Sequence, residues 1–256
     1  MTVAYQTAIF CLRILRNLAR QPIWIAVMVV QPMFWLLLYS QLFRRITELP
    51  GFGTASYIDY LTPGVAIMTA FFSGSWAGMG MIEDLDRGVL ERFLATPASR
   101  AAIVFGRILQ AAITATLQAL LILLVGLALG ARNGGVVGWI VILLAAFLIA
   151  AGFSGLSHGI ALRTRQEASM IAVAQFISLP LLFFSSLLIA RTLIPGWMQT
   201  FSLLNPVEWA VRAGRGEALP GTDWAEMGTF LLLLVGFLAL TTAFATRSFR
   251  SYQRTL

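Results

Sequence analysis

The sequence is poor in charge for its length. Only 11% of its 256 residues are charged, 59% are hydrophobic, and the mean hydropathy is +0.83. Soluble globular domains carry about a quarter charged residues. This composition excludes a soluble enzyme, a disordered protein and a nucleic-acid-binding module, and it indicates an integral membrane protein.

Several residue types on which enzymes and metal sites depend are missing or nearly so. Lysine is absent, since all 18 basic residues are arginines, so the chain has no GxxxxGK[ST] phosphate-binding loop and no Schiff-base lysine. The single cysteine, Cys11, excludes an internal disulfide, and the single histidine, His158, excludes a multi-histidine metal centre. We therefore expect no metal and no cofactor on this chain.

Six apolar stretches are each long enough to cross a bilayer, which takes roughly 20 helical residues. They lie near 23–43, 61–82, 105–130, 137–160, 169–190 and 224–246. With the N-terminus inside, twelve arginines fall on the cytoplasmic side and six on the outer side. This asymmetry predicts a multi-pass protein of the plasma or inner membrane with both termini in the cytoplasm.

Residues 1–21 predict a separate basic amphipathic helix ahead of the six-span domain at 22–256. Arg13, Arg16 and Arg20 recur at helical spacing on one face, while apolar residues occupy other sectors. Such a helix is expected to lie among the lipid headgroups on the cytoplasmic side.

The connection at 83–104 holds the densest charge of the chain, with four carboxylates and three arginines. We predict that Asp86 caps a short amphipathic helix, which ends before Thr96-Pro97 because the residue before a proline leaves the helical region. The charges are typical of a solvated surface helix rather than of an acid–base pair or a cation site. In a chain otherwise so poor in charge, they also indicate a docking surface for a soluble partner.

The connection at 191–223 is too apolar for a solvated loop. Pro195, Asn205-Pro206 and Gly214 divide it into pieces too short to span the membrane. We predict two short re-entrant helices in the outer leaflet, where backbone must be buried in protein or line a water-filled cavity.

Two motifs of small residues lie inside predicted spans. Residues 152–159, GFSGLSHG, match the GxSG and GxSxG patterns of serine hydrolases, and His158 follows Ser154 by four residues. No second residue remains to orient the imidazole, so we favour close helix packing and keep an intramembrane serine hydrolase using Ser154 and His158 as the alternative. Gly74 and Gly78 form a GxxxG motif, for which packing is again favoured over substrate contact.

Polar and aromatic residues within the spans are candidates for a substrate path. They are Gln31, Trp35, Phe72, Trp76, Gln175 and Phe176. None is ionised, and the central spans contain no carboxylate that could relay ions. The energy for transport is therefore expected to come from another subunit.

The order of these features resembles the ABC-2-type transporter permeases, close to the daunorubicin-resistance-like branch of drug and lipid exporters. The resemblance covers nearly the whole chain and is most specific at residues 86–100. The matching positions are Arg87-Gly88, Glu91-Arg92, Phe93-Leu94, Thr96-Pro97 and Ser99-Arg100, with Asn205-Pro206 as a further match.

The resemblance implies an all-α permease subunit, with six transmembrane helices, that exports an amphiphilic drug-like or lipid substrate. A coupling helix at about 86–96 would sit in a groove of a cytoplasmic ABC ATPase, present in two copies, which binds the ATP and Mg. The implied coupling residues are Asp86, Arg87, Gly88, Leu90, Glu91, Arg92, Phe93, Leu94, Thr96 and Pro97.

The resemblance also implies a second permease chain, either identical or a sister. The N-terminal helix with Arg13, Arg16 and Arg20 would add contacts to the ATPase. The outer re-entrant segment would cover the exit of the path, and its implied site residues are Asn205, Pro206, Glu208 and Trp209.

Overall fold

In the described part of the chain the secondary structure consists of helices, without a strand. The computed structural model describes residues 3–43, 45, 47, 56–89, 99–132, 135–216 and 223–253. The helices are α1 (Val3–Ala19), α2 (Pro22–Leu42), α3 (Tyr57–Trp76), α4 (Met79–Asp86), α5 (Arg100–Ala128), α6 (Gly135–Thr164), α7 (Glu167–Phe183), α8 (Gly196–Ser202), α9 (Pro206–Arg215) and α10 (Trp224–Gln253), with a 3₁₀ turn at Arg191–Leu193.

Four stretches of the described chain are long and apolar enough to cross a membrane. They are Tyr57–Asp86, Ala101–Ala128, Gly135–Thr164 and Trp224–Tyr252. Helix α2 is 21 residues long, and α7 is a shorter apolar helix of 17 residues. The fold is therefore an all-helical, multi-pass membrane fold.

Helix α6 lies at the centre and packs against α3, α5, α9 and α10. Its small residues make the close contacts with α10, since a Cβ atom on Gly152 would lie 2.6 Å from the Phe237 ring and one on Gly155 would lie 3.1 Å from Thr241. The packing interpretation of the GFSGLSHG motif is thus confirmed.

The GxxxG motif of α3 also packs within the chain. Gly74 lies against the backbone of Ala150, and Gly78 lies against Ser157, both on α6. Between α3 and α4 the helix is interrupted at Ala77 and Gly78. The Ser157 hydroxyl accepts a hydrogen bond from the Gly78 N–H (2.8 Å) and donates one to the Ser75 carbonyl (2.7 Å). Two backbone groups at the interruption are therefore satisfied by one side chain.

The predicted span at 169–190 is wrong at its end, because α7 stops at Phe183 and residues 184–190 are not helical. The carbonyls at the end of a helix need partners from elsewhere. Here the Asn205 side-chain amide donates to the carbonyls of Leu181 (2.7 Å) and Phe184 (2.9 Å). The helix end is thus stabilised by a residue more than 20 positions further along the chain.

Candidate coupling surface and buried polar cluster

The helix predicted at about 86–96 does not begin at Asp86. Asp86 does not cap it but is the last residue of α4, and Gly88 ends that helix with a positive φ of 64°. A glycine adopts this conformation without steric cost, which explains the stop after Arg87. Arg87 forms an exposed ion pair with Glu83 (2.6 Å). The other predicted coupling residues, Leu90, Glu91, Arg92, Phe93, Leu94, Thr96 and Pro97, lie outside the described residues.

The chain on both sides of residues 90–98 is held by polar contacts. Before them, Asp84 of α4 forms an ion pair with the buried Arg107 of α5. After them, the backbone N–H of Ser99 donates to the Gln6 side chain of α1 (2.8 Å). The described chain is therefore attached to α5 before these residues and to α1 after them.

Helix α1 packs closely on α5 while exposing a mixed surface. A Cβ atom on Gly106 would lie 2.8 Å from the Phe10 Cβ atom, so the two helices are in close contact. The three arginines of the predicted basic face are exposed, at 13, 16 and 20. Apolar residues of α1 are exposed as well, namely Val3, Tyr5, Ile9 and Leu12. This combination is typical of a helix at a membrane interface.

The predicted substrate-path residues do not line an internal tunnel in the described chain. Gln31 and Trp35 are exposed on α2, and Gln175 and Phe176 are exposed on α7, where Phe176 is 81% exposed. Phe72 and Trp76 of α3 are half-buried. Helix α3 contacts both α2 and α7, so the six residues lie on the surfaces of neighbouring helices.

The predicted short helices at 191–223 are present as α8 and α9. Asn205 caps α9 through its side-chain oxygen, which accepts from the Val207 N–H (2.9 Å), and Pro206 occupies the first turn, where a missing N–H costs nothing. The Trp209 indole donates to the Leu203 carbonyl (2.7 Å) and so ties α9 to the end of α8.

Helix α9 also carries two ionised residues into the protein interior. Glu208 is 1% exposed and Arg215 is 5% exposed. Together with Tyr60 of α3 and the backbone of Ser186 and Leu187 they form what we call the buried polar cluster. Of the carboxylates in the described ranges, Glu208 alone is buried.

The peptide of Ser186 is held from both sides in this cluster. Its N–H donates to Glu208 Oε2 (2.7 Å), while its carbonyl accepts from Arg215 Nη1 (2.6 Å) and from the Tyr60 hydroxyl (2.7 Å). Arg215 Nη2 donates to the Leu187 carbonyl (2.6 Å). A guanidinium with five N–H donors can satisfy several carbonyls of a non-helical segment at once.

The surroundings of Arg215 favour its charged form. Desolvation lowers the pKa of Arg215, and the nearby Tyr60 and Glu208 oppose that effect. The guanidinium carbon also lies 3.6 Å from the centre of the Tyr60 ring, a cation–π contact. Because arginine remains charged in proteins, the cluster contains a buried cation.

Of the residues in this cluster, Glu208 alone is among the site residues predicted from the sequence. Arg212 and Arg215 both count among the six arginines predicted on the outer side, whereas Tyr60 and Ser186 are not predicted. Glu208 and Arg215 are seven residues apart, which puts them on one face of a helix. Arg212 lies on another sector, where it pairs with Glu226 of α10. The seven-residue spacing of opposite charges was the available signal.

The arrangement of Ser154 and His158 does not support a hydrolase. Both side chains are buried, and His158 Nδ1 lies 2.6 Å from the Ser154 carbonyl, to which it can only donate. That nitrogen therefore cannot take the proton of the Ser154 hydroxyl, 3.1 Å away. Within the described ranges no three His, Cys, Asp or Glu side chains meet that could hold a metal ion.

The fold and the site together define a helical, multi-pass membrane protein with the helix α1 before the bundle and two short helices, α8 and α9, before the last span. The particular family follows from comparison with known proteins. The ABC-2 type transporter model matches residues 5–217, and the chain belongs to this family.

Similar proteins carry related names. A chain of Cyanophora paradoxa named as a transport permease, ycf38, is 31% identical over 204 residues, which is 78% of this chain and 69% of that protein. The daunorubicin resistance ABC transporter permease protein DrrB1 of Streptomyces coeruleorubidus is 24% identical over 232 residues. The match covers 90% of this chain and 81% of that protein. DrrC of Mycobacterium tuberculosis, named for doxorubicin resistance, is 24% identical with coverage of 90% and 83%. Members of this family are transmembrane subunits that work with an ABC ATPase.

Proposed function

We propose that this chain is the permease subunit of an ATP-driven exporter that moves an amphiphilic, drug-like or lipid substrate outward across the plasma or inner membrane. Family membership supports transport, and the relatives named for daunorubicin and doxorubicin resistance support an amphiphilic substrate. In this proposal six helices span the bilayer, α2 and α7 being added to the four longest, and both termini are cytoplasmic.

The observation that supports this proposal most directly is that the chain is attached to neighbouring helices on both sides of residues 90–98. The start of this segment is tied to α5 by Asp84 and Arg107, and its end is tied to α1 by Ser99 and Gln6. A cytoplasmic ABC ATPase that binds this segment would therefore move α5 and α1 together. In this proposal the ATPase, present in two copies, holds the ATP and Mg.

The coupling helix starts beyond Gly88 in the proposal, and its contacts come from residues up to Pro97. The arginines of α1, in the separate unit at 1–21, contact the same ATPase or the headgroups of nearby lipid. The exposed faces of α2 and α7, which carry Trp35 and Phe176, pack against a second permease chain, identical or sister, and the path runs between the two.

The test is a charge reversal within the coupling segment, Glu91→Lys with Arg92→Glu. The full chain is purified gently from its native membrane, and co-purifying proteins and substrate efflux are measured. We expect the amount of ATPase that co-purifies with the double variant to fall at least about tenfold. The reason is that like charges then oppose each other across the interface. A matched control exchanges Arg212 and Glu226, an ion pair far along the chain from this segment.

The proposal requires a P-loop ATPase in stoichiometric amount with the parent chain and with the control. Retention of the ATPase and of efflux by the Glu91 and Arg92 variant would refute the assigned coupling helix. A well-folded parent chain that purifies without any ATPase would refute the exporter function itself.

A further inference from the structure

Residues 184–190 are an interruption that is buried rather than solvated. The segment lies between α7 and the 3₁₀ turn, and Ser185, Ser186, Leu187 and Ala190 are all buried. Non-helical backbone at such depth in a membrane protein is tolerated only where protein or water satisfies its polar groups. The groups that do so here determine whether the segment stays in place.

Those groups come from α9 and α3 rather than from the segment itself. Glu208 binds the Ser186 N–H, while Arg215 binds the carbonyls of Ser186 and Leu187. Tyr57 and Tyr60 of α3 add hydroxyl bonds to the carbonyls of Leu188 (3.2 Å) and Ser186. The segment is thus held between two helices by side chains that bind its backbone.

The fit at this point leaves no spare room. A Cβ atom on Gly64 of α3 would lie 2.8 Å from the Arg215 guanidinium. Only glycine at this position lets Arg215 reach the segment from beside α3. The contact between Arg215 and the segment therefore depends on the small size of Gly64 as well as on charge.

The cluster is nevertheless incompletely satisfied. Glu208 Oε1 and Arg215 Nε are buried and have no hydrogen-bond partner in the described part of the chain. Each buried polar atom without a partner raises the free energy of the closed arrangement. Separation of α9 from the segment would expose both atoms to water, which lowers the free-energy cost of that separation.

We propose that Glu208 and Arg215 are positioning residues that hold residues 184–190 between α3 and α9, and that this hold is released in each transport cycle. The proposal rests on the exporter function proposed above. It concerns a different part of the molecule from the coupling segment, so the two can fail separately.

The test measures the accessibility of the segment through a single cysteine. Cys11 is replaced by serine, and Leu187, which is 1% exposed, is replaced by cysteine. The purified full chain is placed in lipid nanodiscs, which leave both membrane faces accessible, and the rate of maleimide labelling is measured well below the melting temperature. This first arm requires neither ATP nor the ATPase.

Glu208→Gln is the main variant, because it keeps the size and one acceptor oxygen but removes the charge. We expect labelling at position 187 to accelerate about five- to tenfold, as a charge-assisted hydrogen bond becomes a neutral one. Arg212→Gln is the matched control, because Arg212 lies on another sector of α9 and pairs with Glu226 instead of with the segment. Labelling in this control should stay at the parent rate.

An unchanged labelling rate in folded Glu208→Gln would overturn the proposal, and so would equal acceleration in the Arg212→Gln control. If Glu208→Gln does not fold, Tyr60→Phe decides, because it removes only the hydroxyl bonded to Ser186 and Arg215. This variant should accelerate labelling by about threefold, the effect of one neutral hydrogen bond, and an unchanged rate would overturn the proposal.

A second arm uses the permease with its ATPase, trapped with vanadate during turnover. A rise in labelling of the Leu187→Cys parent supports release of the hold in the cycle, and a merely structural role would not produce it. No rise in a complex that hydrolyses ATP would overturn the release while leaving the exporter function intact. If no ATPase associates, the exporter function fails and with it the release, while the first arm still decides whether the cluster holds the segment.

Discussion

At two interrupted helices in this protein, the freed backbone groups find hydrogen-bond partners in different ways. The interruption between α3 and α4 covers Ala77 and Gly78 and is satisfied by the neutral hydroxyl of Ser157. The interruption after α7 covers seven residues and is satisfied by two ionisable side chains of α9, Glu208 and Arg215. A short gap leaves few orphan groups, whereas a long one needs a side chain with many donors.

The difference has an energetic consequence. A neutral hydroxyl costs little to bury once both of its bonds are made. A buried guanidinium costs several kcal/mol to desolvate, on the order of what its contacts return. The longer interruption should therefore tolerate the loss of one partner far less well than the shorter one.

The largest effect is expected from Arg215→Ala. It leaves the buried Glu208 without a nearby cation and the carbonyls of Ser186 and Leu187 without their guanidinium donor. We expect a loss of about 3–5 kcal/mol in the free energy of unfolding, the size expected when a buried charged partner is removed. The measurement is an SDS-titration unfolding curve of the full chain in mixed micelles. Arg212→Ala, on a half-buried sector of the same helix, is the control, and an equal loss in both variants would contradict the comparison.

An intermediate effect is expected at the shorter interruption. A Cβ atom in Gly78→Ala would lie 2.6 Å from both the carbonyl and the hydroxyl oxygen of Ser157, so α4 and α6 must separate. Overpacking of this kind costs about 1–3 kcal/mol. Ser157→Ala should cost a similar amount, about 1–3 kcal/mol, by leaving the Gly78 N–H and the Ser75 carbonyl unpaired.

The double variant of Gly78 and Ser157 tests whether the two residues act through one contact. Because Ser157→Ala removes one of the two oxygens that the new Cβ atom meets, the two losses should sum to less than their separate values. If the two losses in the free energy of unfolding are strictly additive in the same assay, Gly78 and Ser157 do not act through a shared contact.

The sequence predicts the first interruption's surroundings better than the second. Gly74, Gly78 and Gly155 are readable as packing positions because small residues at helical spacing bring membrane helices together whatever lies between them. The role of Ser157 could not be predicted, because a GxSxG motif is the same whether its serine is a nucleophile or makes hydrogen bonds to the backbone of a neighbouring helix. Its partners, Ser75 and Gly78, are about 80 residues away along the chain.

The second interruption could not be predicted from local pattern at all. Residues 184–190 continue the apolar run of α7, and neither hydropathy nor spacing marks Phe183 as the last helical residue. The stop is imposed by Asn205, Glu208 and Arg215, which bind the freed backbone from another helix. Tertiary contacts of this kind override the helical preference of the local sequence.

The smallest effect should come from the ion pair that connects α9 to α10. Arg212 pairs with Glu226 and lies over the Phe230 ring, 4.4 Å from its centre, but the Glu226 side chain is largely exposed. Because water screens an exposed pair, Glu226→Gln should cost only about 0–1 kcal/mol. The loss should also shrink at about 1 M salt, where screening is strong, whereas the loss in Arg215→Ala should persist. A salt-independent loss above about 2 kcal/mol in Glu226→Gln would place this pair in the same class as Arg215 and remove the distinction between the two arginines of α9.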